Sequence, residues 1–234
     1  YMYYYMELFQ HSLFINLDSR TDRFDHALEE FDKFNIEVER VPAIKHKQGA
    51  VGCTMSHIKC LQLAKARDYE HVFICEDDIT FTDPKKLQES AELFKQNIQL
   101  DWDVLIIGGN NVPPYKKITD YCARIFNCQT TTGYIVRKHF YDTLIANFKE
   151  SATNLMRKPE NGREFALDIY WKKLQTQHTW LMLTPPTVTQ YESFSDIEQK
   201  NVNYDHLMLD MNKEWYMKQL QQRQQIQKLQ VTNK

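Results

Sequence analysis

Three consecutive acids, Glu76-Asp77-Asp78, follow directly on the apolar run Val72-Phe73-Ile74-Cys75. Four residues suited to a buried strand, running straight into carboxylates, place negative charge at the carboxyl end of that strand. Side chains alternate along a strand, which predicts that Glu76 and Asp78 lean one way and Asp77 the other. Two acids on one face make a site for a hard divalent cation, and Mn²⁺ or Mg²⁺ shares such oxygens with substrate phosphates. The plainer alternative is a solvated acidic turn before the helix that Asp83-Pro84 announces, since acids commonly precede helices.

The elements that must position these acids follow from the patterning. Residues 12–17 read as a strand, 20–34 as a helix with Ser19 and Asp22 spaced as a capping box, and 38–41 as a second strand closed by Pro42. A polar loop over 45–52 precedes a helix capped by Thr54 or Ser56, with Ile58, Leu61 and Ala64 on its inner face. After the acidic strand comes a helix capped by Asp83, then a buried strand over 102–109 that ends in Gly108-Gly109. Further on, short strands are expected at 124–128, 134–136 and 180–183, and helices at 138–149 and 163–175. A polar mobile segment is expected over 151–162. Strand, helix, strand repeated in this way predicts a doubly wound α/β sheet, whose ligands sit outside the carboxyl ends of the strands.

Three such ends would share one rim: Asn16-Leu17, Glu76-Asp77-Asp78 and Gly108-Gly109. Arg20 and Arg23 stand just beyond the first. A diphosphate needs cations, which a metal ion and arginine supply, and glycines let a ligand approach the backbone. No GxGxxG follows the first strand and no GxxxxGK[ST] occurs, so the pattern suits a nucleotide diphosphate without a dinucleotide fingerprint or P-loop.

At 234 residues, with 42% hydrophobic and 13% aromatic residues, the chain can bury one sizeable core. A net charge of −2 gives no basic field for a nucleic-acid partner. No apolar run approaches the about 20 residues that span a bilayer, and no signal-like segment opens the chain. The expected setting is therefore cytoplasmic, with attachment at a membrane surface and a secretory-lumen location left open. Five cysteines without a CxxC pair read as reduced buried thiols, with a Cys122–Cys128 disulfide as the alternative.

Several fragments now occur in a fixed order. They are Asn16-Leu17-Asp18-Ser19-Arg20-Thr21-Asp22-Arg23, Arg40-Val41-Pro42-Ala43-Ile44, Gly52-Cys53-Thr54-Met55-Ser56-His57 and Glu76-Asp77-Asp78. Trp102-Asp103 with Gly108-Gly109, Thr132-Gly133-Tyr134, Asp168, and Gln190 with Ser195-Asp196-Ile197 continue the series. This ordered set, spanning 13–197, resembles glycosyltransferase family 25, which includes lipooligosaccharide sugar transferases and collagen galactosyltransferase-like proteins. The resemblance implies a Rossmann-like nucleotide-sugar fold of the GT-A type, with a mixed, mostly parallel central sheet. It also implies a UDP-sugar donor, a divalent metal and inversion at the anomeric carbon. The corresponding layout is a lead-in over 1–10, a glycosyltransferase domain over 11–200 and a helical, glutamine-rich tail over 201–234, through which a homodimer could pair.

Carried over residue by residue, the resemblance implies that Asp78 ligates Mn²⁺ and that Glu76 or Asp77 contacts ribose or metal-bound water. Asn16, Arg20, Arg23, Ala43 and Ile44 would line the nucleoside pocket, while Ser56-His57 opens the next helix with His57 reaching phosphate or ribose. Gly108-Gly109 and 131–133 would border the acceptor or the donor sugar. For Arg23 a surface salt bridge, for Ala43 and Ile44 a core role, and for His57 a structural hydrogen bond are the plain alternatives. Inverting transfer needs one general base, and Asp168, an acid among apolar helical residues, is the candidate. Its alternative is an ion pair with Lys172; Asp103 and Asp196 stand behind it. His178 and His206 are candidates for a third metal ligand. The acceptor would be a hydroxyl of a glycan, glycolipid or glycoprotein. A competing reading is a module of the same fold that binds glycan or nucleotide without turnover.

Overall fold

The computed structural model describes residues 7–195 and 200–232. Strand β1 (Ser12–Asn16) pairs in parallel with β2 (Glu39–Pro42) on one side and with β3 (His71–Glu76) on the other. β8 (Cys128–Arg137) runs antiparallel between β3 and β5 (Val104–Asn111). β9 (Trp180–Leu183) is parallel to β5, and the antiparallel β7 (Cys122–Ile125) and β6 (Tyr115–Lys117) complete the sheet. The order is β2-β1-β3-β8-β5-β9-β7-β6, a mixed sheet in which β7 and β8 alone run against the others.

Helix α1 (Thr21–Phe34) covers one face and α2 (Gly49–Ala66) the other, as strand–helix–strand connections on both faces require. The alternation of β3 divides the core between them. Val72 and Ile74 join Ile58, Leu61 and Ala64 of α2, while Phe73 and Cys75 join Ala27, Phe31 and Phe34 of α1. α3 (Pro84–Asn97), capped by Asp83, extends the α1 face, and α4 (Tyr141–Arg157) the α2 face. A short strand β4 (Ile79–Phe81) pairs antiparallel with β10 (Val188–Gln190), bringing the segment after the acids against the end of the domain. β11 (Ser193–Ser195) and β12 (Lys200–Val202) pair with each other.

Several boundaries differ from the sequence reading. The glycines of the supposed loop at 45–52 lie inside α2, so Thr54 and Ser56 do not cap it; they bond back to the carbonyls of Ala50 and Gly52. The Ser19–Asp22 box does not form, because Arg20 occupies the cap without a side-chain bond. α4 continues through most of the segment read as polar and mobile. The single helix expected at 163–175 is instead α5 (Gly162–Phe165), α6 (Leu167–Tyr170) and α7 (Lys172–Gln177). Ala166, with ψ 139°, breaks the first junction. Leu8 and Phe9, read as lead-in, are core residues. The tail folds as α8 (Asp205–Met208) and α9 (Glu214–Thr232). All five cysteines are free thiols. Among the described residues no helix is long and apolar enough to cross a membrane.

Candidate active site

β3 ends at Glu76, and there the alternation ends too. Glu76 keeps the phase of Val72 and Ile74 and turns to the α2 face. Its Oε1 accepts from Thr131 Oγ1 at 2.6 Å and from Cys53 Sγ at 3.6 Å, and lies 3.1 Å from His57 Nε2. Oε2 has no protein partner among the described residues, and the side chain keeps 21% of its exposure. Asp77 and Asp78 both turn to α1, because the chain leaves the strand in a turn that redirects Asp78. Arg23 Nη1 bridges them, donating to Asp77 Oδ1 at 3.1 Å and Asp78 Oδ2 at 2.9 Å. The expected pairing of Glu76 with Asp78 on one face is thus corrected: Asp77 and Asp78 share a side. Asp77 Oδ2 is also taken, by Asn16 Nδ2 at 2.7 Å, which leaves Asp77 a positioning part. Among the described residues, Asp78 Oδ1 has only a long contact of 3.4 Å from Gln190 Nε2, and the Asp78 carbonyl accepts from the Tyr191 amide at 2.6 Å.

Asp168 opens the short helix α6, where the break at Ala166 turns it toward β8. Its Oδ2 accepts from the Thr130 amide at 3.0 Å, at a bulge where Thr130 adopts φ 67°. The pairing with Lys172 is absent; that ammonium donates to Gln129 Oε1 at 2.7 Å.

These acids outnumber their cations, and the titration behaviour records it. Burial pushes the Asp78 carboxyl up to about 7, with the charges of Glu76 and Asp77 adding to the effect and Arg23 opposing it. Burial likewise raises Asp77 against Arg23 and Asn16, and raises Asp168 against the Thr130 amide, with Glu76 adding repulsion. Glu76 goes the other way: burial works against its charge, but the bonds from His57 and Thr131 hold its carboxyl below the usual range. Burial opposes the Arg23 charge, yet Asp78 and Asp77 outweigh it and raise the guanidinium.

The remaining predicted residues divide sharply. Asn16 is central: besides Asp77 it holds the Arg20 carbonyl through Nδ2 and accepts from Arg40 Nε at 2.9 Å through Oδ1. Arg20 closes on Asp22. Ala43 and Ile44 are half-buried; their amides bond the Asn16 carbonyl and Ser56 Oγ, so Ser56 secures this loop and does not itself face a ligand. His57 lies mid-helix, fully buried between Glu76 and Tyr134 Oη, and cannot reach a donor directly. Gly108 and Gly109 lie inside β5, where a Cβ would stand 2.5 Å from Val188 Cγ1 and 2.7 Å from Cys128 Sγ. They relieve packing and open no ligand approach. Asp103 is at the opposite rim, bonding the Thr179 amide and His139. His178 is beside it against Phe140, and His206 is beside Trp215. Asp196 and Ile197 lie outside the described residues. Sequence reasoning missed Thr131 and Tyr134 as partners of the acid site, although both stand in fragments it had singled out; only the antiparallel insertion of β8 beside β3 brings them there.

A model of glycosyltransferase family 25, described as an LPS biosynthesis protein, matches residues 47–156. That stretch includes Cys53, Ser56, His57 and all three acids. The match takes in 110 of the chain's 234 residues. A Haemophilus influenzae protein named "Putative glycosyltransferase" is 32% identical over 92 residues, covering 30% of this chain and 33% of that protein. The chain thus spans about a third of that relative's length. Among solved structures, a glycosyltransferase involved in glycosylation of the major capsid of PBCV-1 superimposes with a TM-score of 0.48 and 8% identity. That match covers 74% of this chain and 79% of the other. A Drosophila β1,4-galactosyltransferase 7 in complex with manganese, UDP-Gal and xylobiose superimposes with a TM-score of 0.35 and 10% identity, covering 57% and 51%. The matched stretch supplies β3, its acids and the helix behind them, whereas Asn16, Arg23 and Asp168 lie outside it.

Proposed function

We propose that the chain is a metal-dependent inverting glycosyltransferase that moves a sugar from a UDP-sugar to a hydroxyl of a glycan, glycolipid or glycoprotein. The family description makes a lipopolysaccharide-type glycan the first acceptor to try. The observation that carries this reading is the state of the acids. Glu76, Asp78 and Asp168 are each fixed through one oxygen, retain another without a strong partner, and repel one another in a buried setting. Hard oxygen donors with excess negative charge fit Mn²⁺ or Mg²⁺, with Asp78 and Glu76 as the holding residues.

A divalent ion there would neutralise the charge developing on the departing diphosphate. Arg23, beside the same carboxylates, is placed to share phosphate oxygens, and Asn16 with Arg40 braces the nucleoside side of the rim. Asp168 takes the acceptor proton as the acceptor oxygen bonds to the anomeric carbon. The bond from that carbon to the phosphate oxygen breaks, and UDP leaves with the electron pair. Burial makes Asp168 a stronger base than an ordinary aspartate, which suits this part. Thr132 Oγ1 within β8, and Asn110 Oδ1 and both polar atoms of the Asn111 side chain at the end of β5, are buried without partners among the described residues, and they match the hydroxyls of a sugar.

The test is UDP release from a panel of UDP-sugars with Mn²⁺, with and without lipooligosaccharide acceptors. Turnover should appear with at least one pair. Asp168→Asn keeps the oxygen that Thr130 needs and should lower kcat by about 10²–10⁴ with donor KM little changed. A wild-type chain inert toward every donor, or an unaffected Asp168→Asn, overturns the assignment.

A further inference from the structure

Behind the acids stands a second set of donors of different chemistry. Cys53 and His57 are four residues apart on α2 and so share one face, and Glu76 reaches them from the end of β3. One ligand atom from each, thiol sulfur, ring nitrogen and carboxylate oxygen, lies within 4.8 Å of the others. Cys53 Sγ is 3.6 Å and His57 Nε2 3.1 Å from Glu76 Oε1. Zinc bonds of 2.0–2.3 Å at tetrahedral angles set donor atoms about 3.3–3.7 Å apart, so little movement is needed to close on an ion. The outer partner is also in place: Tyr134 Oη lies 3.0 Å from His57 Nδ1, fixing the ring with Nε2 toward the trio. Thr131 Oγ1 anchors the same Glu76 oxygen at 2.6 Å. Cys53 is half-buried, whereas the other four cysteines are buried.

We propose that Cys53, His57 and Glu76 form a binding site for Zn²⁺ that adjoins the carboxylate site at Asp78 and shares Glu76 with it. A sulfur–nitrogen–oxygen set selects a borderline-soft ion over the hard ions suited to carboxylates alone. Ligation exchanges the Cys53 thiol proton for the metal and releases it to solvent. The ion takes Glu76 Oε1 and leaves Oε2 available to the sugar-transfer site. The inference concerns binding and does not depend on whether the chain transfers sugar.

Co²⁺ added to the full chain is the probe, because a cobalt–thiolate bond gives a near-ultraviolet charge-transfer band that carboxylate ligation does not. One Co²⁺ per chain should produce the band, and Zn²⁺ should abolish it. Cys53→Ser, which keeps a hydrogen bond to Glu76, should lack the band, while Asp78→Asn should retain it. Tyr134→Phe should weaken Zn²⁺ by about 10–100-fold, the loss expected for an outer partner. No band at saturating Co²⁺, or a band that survives in Cys53→Ser, overturns the proposal.

Discussion

Asp78→Asn should make the metal-free protein more stable. The carboxyl rises from an ordinary 3.8 to about 7, so keeping it ionised in the folded chain costs about 4 kcal/mol at pH 8. Its side chain is 11% exposed, so solvent screening removes little of this. The attraction of Arg23 is already contained in that value, so it is not subtracted again. The expectation is a stabilisation of up to about 4 kcal/mol, at about 2–4 °C in Tm per kcal/mol for a chain of this size. The sign of the pH dependence is fixed. A folded value above the unfolded one favours the fold fully below about pH 4, and that contribution is lost as pH rises to about 7. The advantage of Asp78→Asn should therefore be small at pH 4, grow through that window and be largest at pH 8. Saturating Mn²⁺ should cancel it by stabilising the wild type alone. Calorimetry at pH 4, 6 and 8, with and without Mn²⁺, measures all of this. A variant less stable at pH 8, or one whose advantage does not change with pH, refutes the picture of an overcharged buried site.

Two further perturbations probe other parts of the account. Arg23→Met removes the cation that now bridges Asp77 and Asp78. By calorimetric titration Mn²⁺ alone should bind about tenfold tighter to it, while UDP in the presence of Mn²⁺ should bind more weakly; equal affinities for both would show that Arg23 is a surface salt link only. Gly108→Ala drives a methyl against Val188, whose β-branched side chain has little freedom to yield, and should cost about 1–3 kcal/mol. That loss would be read as a lower urea midpoint at unchanged m, with the donor KM unaffected.

The parts of the site legible in the sequence are those carried by local pattern. Val72-Phe73-Ile74-Cys75 running into acids announces β3 and its charged end, and Arg23 and Asn16 lie beside that end because βαβ units fix where a strand and the following helix meet. What failed depended on distant chain. The strand alternation of Glu76, Asp77 and Asp78 broke because β3 stops one residue into the acidic run, a boundary set by the β4–β10 pairing more than a hundred residues away in sequence. Gly108-Gly109 read as an open approach, but Val188 and Cys128, supplied by β10 and β8, fill the space beside them. His57 reads as a ligand contact because Ser56-His57 is expected to open the helix; the helix starts eight residues earlier and buries it, leaving it to hold Glu76. Asp168 stands out in the sequence as an acid among apolar residues, and the reason it can sit there is the Thr130 amide at a bulge that no spacing rule reveals.

The most direct test of the central claim is calorimetric titration of UDP into the wild-type chain and into Asp78→Asn, each with and without Mn²⁺. If the acids hold a cation that in turn holds the diphosphate, UDP binds the wild type only with Mn²⁺, and Asp78→Asn binds it in neither condition while remaining folded. Equal UDP binding with and without the ion, or undiminished Mn²⁺-dependent binding in the variant, contradicts the claim.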